Sequence, residues 1–171
     1  MTSSDPHNPA RASSAPPPVE RDFDMRIAAD GRWYHEGGLI RRDGLVRLFA
    51  SVLCVDADGQ HWLRTPVEFG RIEVEDAPFI ITGLGSEGTG RDRLVTLTDN
   101  LDRAHLLGPD RRLFFGAGSH NTDTRPYVRL EGGLTARVSR PVWYELAGLA
   151  DDEDDTGTAG IWSAGCFFAL S

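Results

Sequence analysis

At 171 residues, with 40% hydrophobic and 26% charged residues, the chain has the composition of a globular protein of one domain or two small ones. A formal net charge of −8 excludes the basic footprint of a non-specific nucleic-acid binder. All 18 basic residues are arginine, which excludes a Schiff-base lysine, a pyridoxal-phosphate anchor and a P-loop lysine.

Residues 1–22 are rich in Pro, Ser and Ala and poor in large apolar side chains, so they read as a disordered tail. They lack the apolar core of a secretory signal, and no apolar run approaches the roughly 18 residues of a membrane span. Cys54 and Cys166 stand in no metal-ligand spacing and read as small buried hydrophobes. A reduced, cytoplasmic compartment is the expectation.

Order is expected from Phe23. Met25 and Ile27 alternate with polar neighbours, Asp30-Gly31 supplies a hairpin turn, and Arg32 to Glu36 returns as a strand. Gly37-Gly38 breaks that strand. Asp43 then caps a helix whose apolar stripe is Leu45, Leu48, Phe49, Val52 and Leu53. A second hairpin turns at Asp58-Gly59, with Trp62 on its return strand. Val67 to Glu75 alternates as one strand, and Phe79 to Ile81 reads as a buried one. The Gly-rich stretch Gly83 to Gly90 marks the boundary between halves, at residue 85. Leu94 to Thr98 is a strand. Leu101–Leu107 and Arg111–Phe115 flank Gly108-Pro109-Asp110 as a further hairpin. Tyr127–Glu131 and Leu134–Val138 are strands, and Pro141 opens a helix faced by Val142, Trp143, Leu146 and Leu149. An acidic loop, Asp151–Asp155, precedes a closing strand from Ile161 to Leu170.

Glu-Gly-Gly-Leu occurs twice, at Glu36–Leu39 and Glu131–Leu134, each time between a strand and a stretch leading into a helix. The chain therefore reads as an α+β, predominantly antiparallel β protein. Two related halves, 23–85 and 86–171, each carry a small sheet and one short helix.

Few motifs carry chemistry. Gly83-x-Gly85-x-x-Gly88 matches the dinucleotide fingerprint in letters, but strand rather than helix follows it. The acidic run has Thr156 and Trp162 where a calcium loop started at Asp151 needs Gly and Glu. His7, His35, His61, His105 and His120 form no metal-binding pair, so no metal, cofactor or catalytic residue is assigned. Ser163 sits in no nucleophile elbow, and Glu68, Glu73, Glu75 and Asp76 read as solvated strand residues.

The arginines remain. Arg41, Arg42 and Arg47 surround the first helix start, and Arg125, Arg129, Arg137 and Arg140 the second. Facing halves would bring these guanidinium forks to a cleft suited to phosphate or carboxylate. The competing reading makes them surface groups paired with Glu36, Glu68, Glu131 and Glu145.

The phrases GRWYHEGGLIRRDGLVRLFASVL, LRTPVEFGRIEVEDAPFII and RPYVRLEGGLTARVSRPVWYEL resemble the proteobacterial domain-of-unknown-function 1285 family. The resemblance runs from Phe23 to the C-terminus. It implies a duplicated core, a pleckstrin-homology-like C-terminal half and no established enzymatic activity. It also implies a nucleotide-like ligand between the halves and a signalling role. Arg42, Arg47, Arg64, Thr65, Glu68, Arg125, Tyr127 and Arg140 fall on its recurrent phrases and become the candidate ligand-binding residues. Arg41 stands where the family often has Gly. The expected function is a non-catalytic module holding a small anionic, nucleotide-like ligand at the interface between its two halves and signalling to a partner. The alternatives are a protein-interaction or self-associating module, and a hydrolase using the carboxylates or Ser163.

Overall fold

The computed structural model describes residues 16–118, 123–150, 152–153 and 157–170. The first half contains β1 (Val19–Glu20), β2 (Met25–Ile27), β3 (Trp33–His35), β4 (Gly38–Leu39) and helix α1 (Asp43–Ser51). It continues with β5 (Leu53–Val55), β6 (His61–Arg64), β7 (Glu68–Arg71) and β8 (Glu73–Val74). The second half contains β9 (Phe79–Glu87), β10 (Leu94–Asp99), β11 (Ala104–Leu106), β12 (Leu113–Ala117), β13 (Thr124–Arg129) and β14 (Thr135–Val138). Helix α2 (Arg140–Gly148), β15 (Asp152–Glu153), β16 (Ala159–Ser163) and β17 (Cys166–Ala169) close the chain. The protein is thus mostly β with two short helices.

Among the described residues four sheets form, with strand orders β4-β3-β2-β8, β1-β7-β6-β5, β11-β10-β9-β14-β13-β12 and β15-β16-β17. Most pairings are antiparallel; β1 with β7, β2 with β8 and β14 with β9 are parallel. One contiguous apolar core runs through both halves, from Ile27, Trp33 and Leu63 to Phe79, Leu97, Val128, Leu146 and Ile161. A nine-residue helix cannot stand alone, so each helix depends on this core.

Helix α2 follows its periodicity: Val142 and Leu146 are buried, and Trp143 and Leu149 pack against the core. Helix α1 is rotated relative to expectation. Val46 and Ala50 are its buried residues, Phe49 stacks on Trp33 at 6.3 Å, and Leu48 is 59% exposed. The inward stripe is Val46, Phe49, Ala50 and Leu53, and Leu53 already belongs to β5. Arg42 rather than Asp43 takes the N-cap position, and no side chain caps it.

Five further expectations are corrected. Val19 and Glu20, placed in the tail, pair with β7, and Arg21 N–H donates to the Phe69 carbonyl. Gly70 makes this possible: a Cβ there would lie 2.2 Å from the Arg21 carbonyl oxygen and 2.6 Å from the Phe23 ring. The alternating run Val67–Glu75 is two strands in different sheets, β7 and β8. Gly83 to Glu87 is not a loop but the second part of β9, paired along its length with β10. Finally, β11 and β12 do not form a hairpin; they are opposite edges of the six-stranded sheet. The turn that claims β11 lies earlier, where Asp99 N–H bonds to the Arg103 carbonyl. The single closing strand is likewise a hairpin, β16–β17, turning through Ala164 (φ +49°) and Gly165 (φ +74°).

Glu-Gly-Gly-Leu turns the chain between antiparallel strands at both places, β3 to β4 and β13 to β14. The left-handed residues are Glu36 and Gly37 in the first copy but Gly132 and Gly133 in the second, one position later. A helix follows in each case.

Candidate functional site

Strand β13 alternates, so Arg125 and Tyr127 lie on the same face, opposite buried Val128. Tyr127 is the register partner of Arg137 on β14. Three residues on, Arg140 begins α2, and Trp143 sits one turn further along the same helix face. The result is a pocket of about 380 Å³ lined by Arg125, Arg137, Arg140, Trp143, Thr124 and Asp123. Phe115 meets Trp143 edge-on, with ring centroids 5.5 Å apart.

Behind the pocket lies a polar network that joins the halves. Tyr127 donates its hydroxyl to Asp76 Oδ1 at 2.7 Å. Arg137 Nε lies 3.0 Å from Asp76 Oδ2, an ion pair without hydrogen-bond alignment. Arg137 Nη2 also donates to the Ala29 carbonyl at 2.9 Å. Burial, then the Asp76 hydrogen bond and charge, push the Tyr127 phenol up to about 12, against the opposing pull of Arg125 and Arg137. Arg137 is therefore neutralised by the protein itself. Arg125 and Arg140 form no ion pair among the described residues, and both line the pocket.

The other candidate residues lie elsewhere. Arg47 donates to the Leu101 carbonyl and, at 2.7 Å, to Asp102, so it ties α1 to the second half. Arg42 is exposed at the start of α1, beside a shallow hollow formed with Leu45 and Leu48. Arg64 is exposed, with its guanidinium 5.7 Å from the Phe69 ring centre. The Thr65 hydroxyl donates to the Glu68 carbonyl and accepts from the Glu68 amide, closing the β6–β7 turn. The Glu68 carboxylate pairs with Arg21 at 3.2 Å. Of the eight, the structure gathers Arg125 and Arg140 in one pocket, with Tyr127 in the network behind it.

A second cavity, of about 480 Å³, separates the halves. Ala50, Leu53 and Cys54 line it from one side, and Phe79, His105 and Arg111 from the other. None of the eight candidates lines it. Behind its lining residues Arg103 and His105 stands fully buried Asp99, unremarked in the sequence. Asp99 Oδ1 accepts from the Leu101 and Arg103 amides; Oδ2 accepts from Arg103 Nε at 2.8 Å and pairs with His105 Nε2 at 2.9 Å. Burial pushes the carboxyl up, yet the bonds from His105 and Arg103 prevail and hold it at about 2. The available sequence signal was an Asp at the end of a strand, with Arg and His at the fourth and sixth positions beyond it.

Of the hydrolase candidates, Ser163, Glu68, Glu75 and Asp76 are engaged in structural contacts, and Glu73 is exposed. Ser163 is fully buried, donating to the Leu107 carbonyl at 2.6 Å and accepting from the Val95 amide at 2.9 Å. Glu75 pairs with Arg26 and accepts from the Ala29 amide. Gly83-x-Gly85-x-x-Gly88 leads to one 3₁₀ turn and β10, so no α-helix N-terminus stands ready for a pyrophosphate. Among the described residues no three His, Cys, Asp or Glu side chains gather as metal ligands, and no helix is long and apolar enough to cross a membrane. His7, His120 and most of the Asp151–Asp155 run lie outside the described residues.

These features define a two-domain, mostly β protein with an arginine-lined pocket beside its second helix. The comparisons with known proteins give it a family. The model of the N-terminal domain of the domain-of-unknown-function DUF1285 proteins matches residues 13–77, that of their C-terminal domain matches residues 78–170, and the chain belongs to that family. A DUF1285 protein from Silicibacter pomeroyi DSS-3 is similar over 97% of this chain and 89% of its own, at 35% identity and a TM-score of 0.80. One from Shewanella baltica OS155 is similar over 73% of this chain and 91% of its own, at 26% identity and a TM-score of 0.58. No curated protein matches the chain.

Proposed function

We propose that this protein is a non-catalytic module that holds a small anionic ligand in the Arg125–Arg137–Arg140 pocket and passes that state to a partner. The observation that supports it is the pair of guanidinium groups, Arg125 and Arg140, that line one pocket without a carboxylate partner among the described residues. Two arginines that line one pocket attract an anion to it. The first turn of α2 adds the partial positive charge of a helix N-terminus. Trp143 offers a flat apolar surface for a ring attached to the anion, as in a nucleotide. Through Arg137, which reaches Asp76 and the Ala29 carbonyl, occupancy can be felt by the N-terminal half.

We also infer that the two halves derive from one duplicated unit and that the C-terminal half is of the pleckstrin-homology kind. The repeated strand, Glu-Gly-Gly turn, strand and helix support the first; a sheet packed on one helix supports the second. A thermal-shift series with AMP, pyrophosphate and adenosine tests the ligand reading. Stabilisation by the two anions that disappears in Arg125→Ala/Arg140→Ala is the expected result. No stabilisation by either at millimolar concentration refutes it.

A further inference from the structure

The cavity between the halves has a chemistry unlike that of the arginine pocket. Its volume of about 480 Å³ falls in the range of small-molecule sites, about 300–1,000 Å³. Ala50 and Leu53 of the first half, with Phe79, Leu130 and Leu134 of the second, make its wall largely apolar. Its two arginines are already spent: Arg103 on Asp99 at 2.8 Å and Arg111 on Glu131 at 2.5 Å. An anion entering would meet no uncompensated cation, and it would lie close to two carboxylates.

Two buried donors of the lining residues have no hydrogen-bond partner among the described residues: Arg103 Nη2, which still has its ion pair with Asp99, and Arg111 Nε. The His105 side chain is nine-tenths buried and lines the same cavity. Its Nε2 is held by Asp99 Oδ2 at 2.9 Å. A carboxylate can only accept, so Nε2 carries the hydrogen, and a neutral ring presents Nδ1 as an acceptor. Asp99 in turn is fixed by the two amides and Arg103, which makes it a positioning residue for His105.

We propose that this cavity binds a small, uncharged, planar aromatic compound that offers an N–H or O–H to His105 Nδ1 and a carbonyl to Arg111 Nε. The apolar wall contributes affinity by burying the ring, and the two polar atoms select the edge of the ring. Asp99 and Glu131 already pair with the two arginines, which disfavours a phosphate group there.

Isothermal titration of the full chain at pH 8 tests this with 2-quinolone, whose ring N–H and carbonyl are adjacent. Saturable one-to-one binding is expected. 1-Methyl-2-quinolone, which lacks the donor, binds about five- to tenfold more weakly, the size of one lost hydrogen bond. Inorganic phosphate at millimolar concentration does not displace 2-quinolone. Ala104→Phe, at an exposed β11 position that also lines the cavity, abolishes binding while circular dichroism stays unchanged. His105→Phe makes the two quinolones bind alike; if that variant fails to fold, the methylated ligand and Ala104→Phe still decide. The proposal is overturned if 2-quinolone does not bind, if methylation has no effect, if Ala104→Phe binds normally, or if phosphate competes. The arginine pocket stands or falls separately, because Arg125→Ala/Arg140→Ala leaves 2-quinolone binding intact.

Discussion

Replacing Asp99 with Asn keeps the shape of a fully buried side chain and removes its charge. In the folded protein the carboxyl titrates at about 2, against an ordinary 3.8. That difference corresponds to about 2.5 kcal/mol of stability at neutral pH. The sign follows from the depressed value: the contribution is complete above 3.8 and is lost as pH falls through 2. Asn also turns an NH₂ group towards Arg103 or His105, which are themselves donors, so the total cost is about 2–4 kcal/mol. Urea unfolding of the wild type and Asp99→Asn, repeated from pH 7 down to pH 2.5, measures it. The gap between the two should stay level from pH 7 to about pH 4.5 and narrow below. A gap under about 0.5 kcal/mol at pH 7, or one that does not shrink in acid, would refute the assignment of Asp99 as an ionised anchor.

Leu146→Ala, at a fully buried position of α2, should cost about 2–5 kcal/mol, whereas Tyr144→Ala, 66% exposed, should stay within about 0.5 kcal/mol. Chemical denaturation of both separates a packed face from a wet one. Gly70→Ala places a methyl group against the Arg21 carbonyl and Phe23, so it should release the N-terminal arm; faster proteolysis between residues 16 and 23 is the readout. Tyr127, raised to about 12 from an ordinary 10, gives stability that is complete below pH 10 and lost as pH rises through 12. Tyr127→Phe should therefore show a shallower alkaline loss of stability than the wild type, as followed by melting temperature between pH 9 and pH 11.5.

Both helices and most strands were legible because their apolar residues recur at the period of the element they form. The first helix shows the limit of that signal. Leu45 and Leu48 outscore Ala50 on any hydropathy scale, yet Val46 and Ala50 are the residues of α1 that are buried. Gly83 to Glu87 was misread because glycine usually punctuates. Here Gly83 lies across from Thr98, whose Cβ would be 3.4 Å from an added methyl group, and Gly85 lies across from Thr96. Small residues in one strand make room for branched ones in the next. Arg125 and Arg140 were named from phrases in the sequence; that they share a pocket with Arg137 depends on the β13–β14 register and the immediate start of α2. Arg47 and Glu68 were eligible on the same grounds, but nearby partners absorb their charges. The Asp99–His105 pair was missed because its residues come together only across the β10–β11 turn.

The central claim is that Arg125 and Arg140 hold an anion. The most direct measurement is anomalous diffraction from a crystal of the full chain soaked in tungstate, a heavy tetrahedral dianion. A peak within hydrogen-bonding distance of the Arg125 and Arg140 guanidinium groups, absent from crystals of Arg125→Ala/Arg140→Ala, is the expected result. An empty pocket, with tungstate bound only at other surfaces, would contradict it.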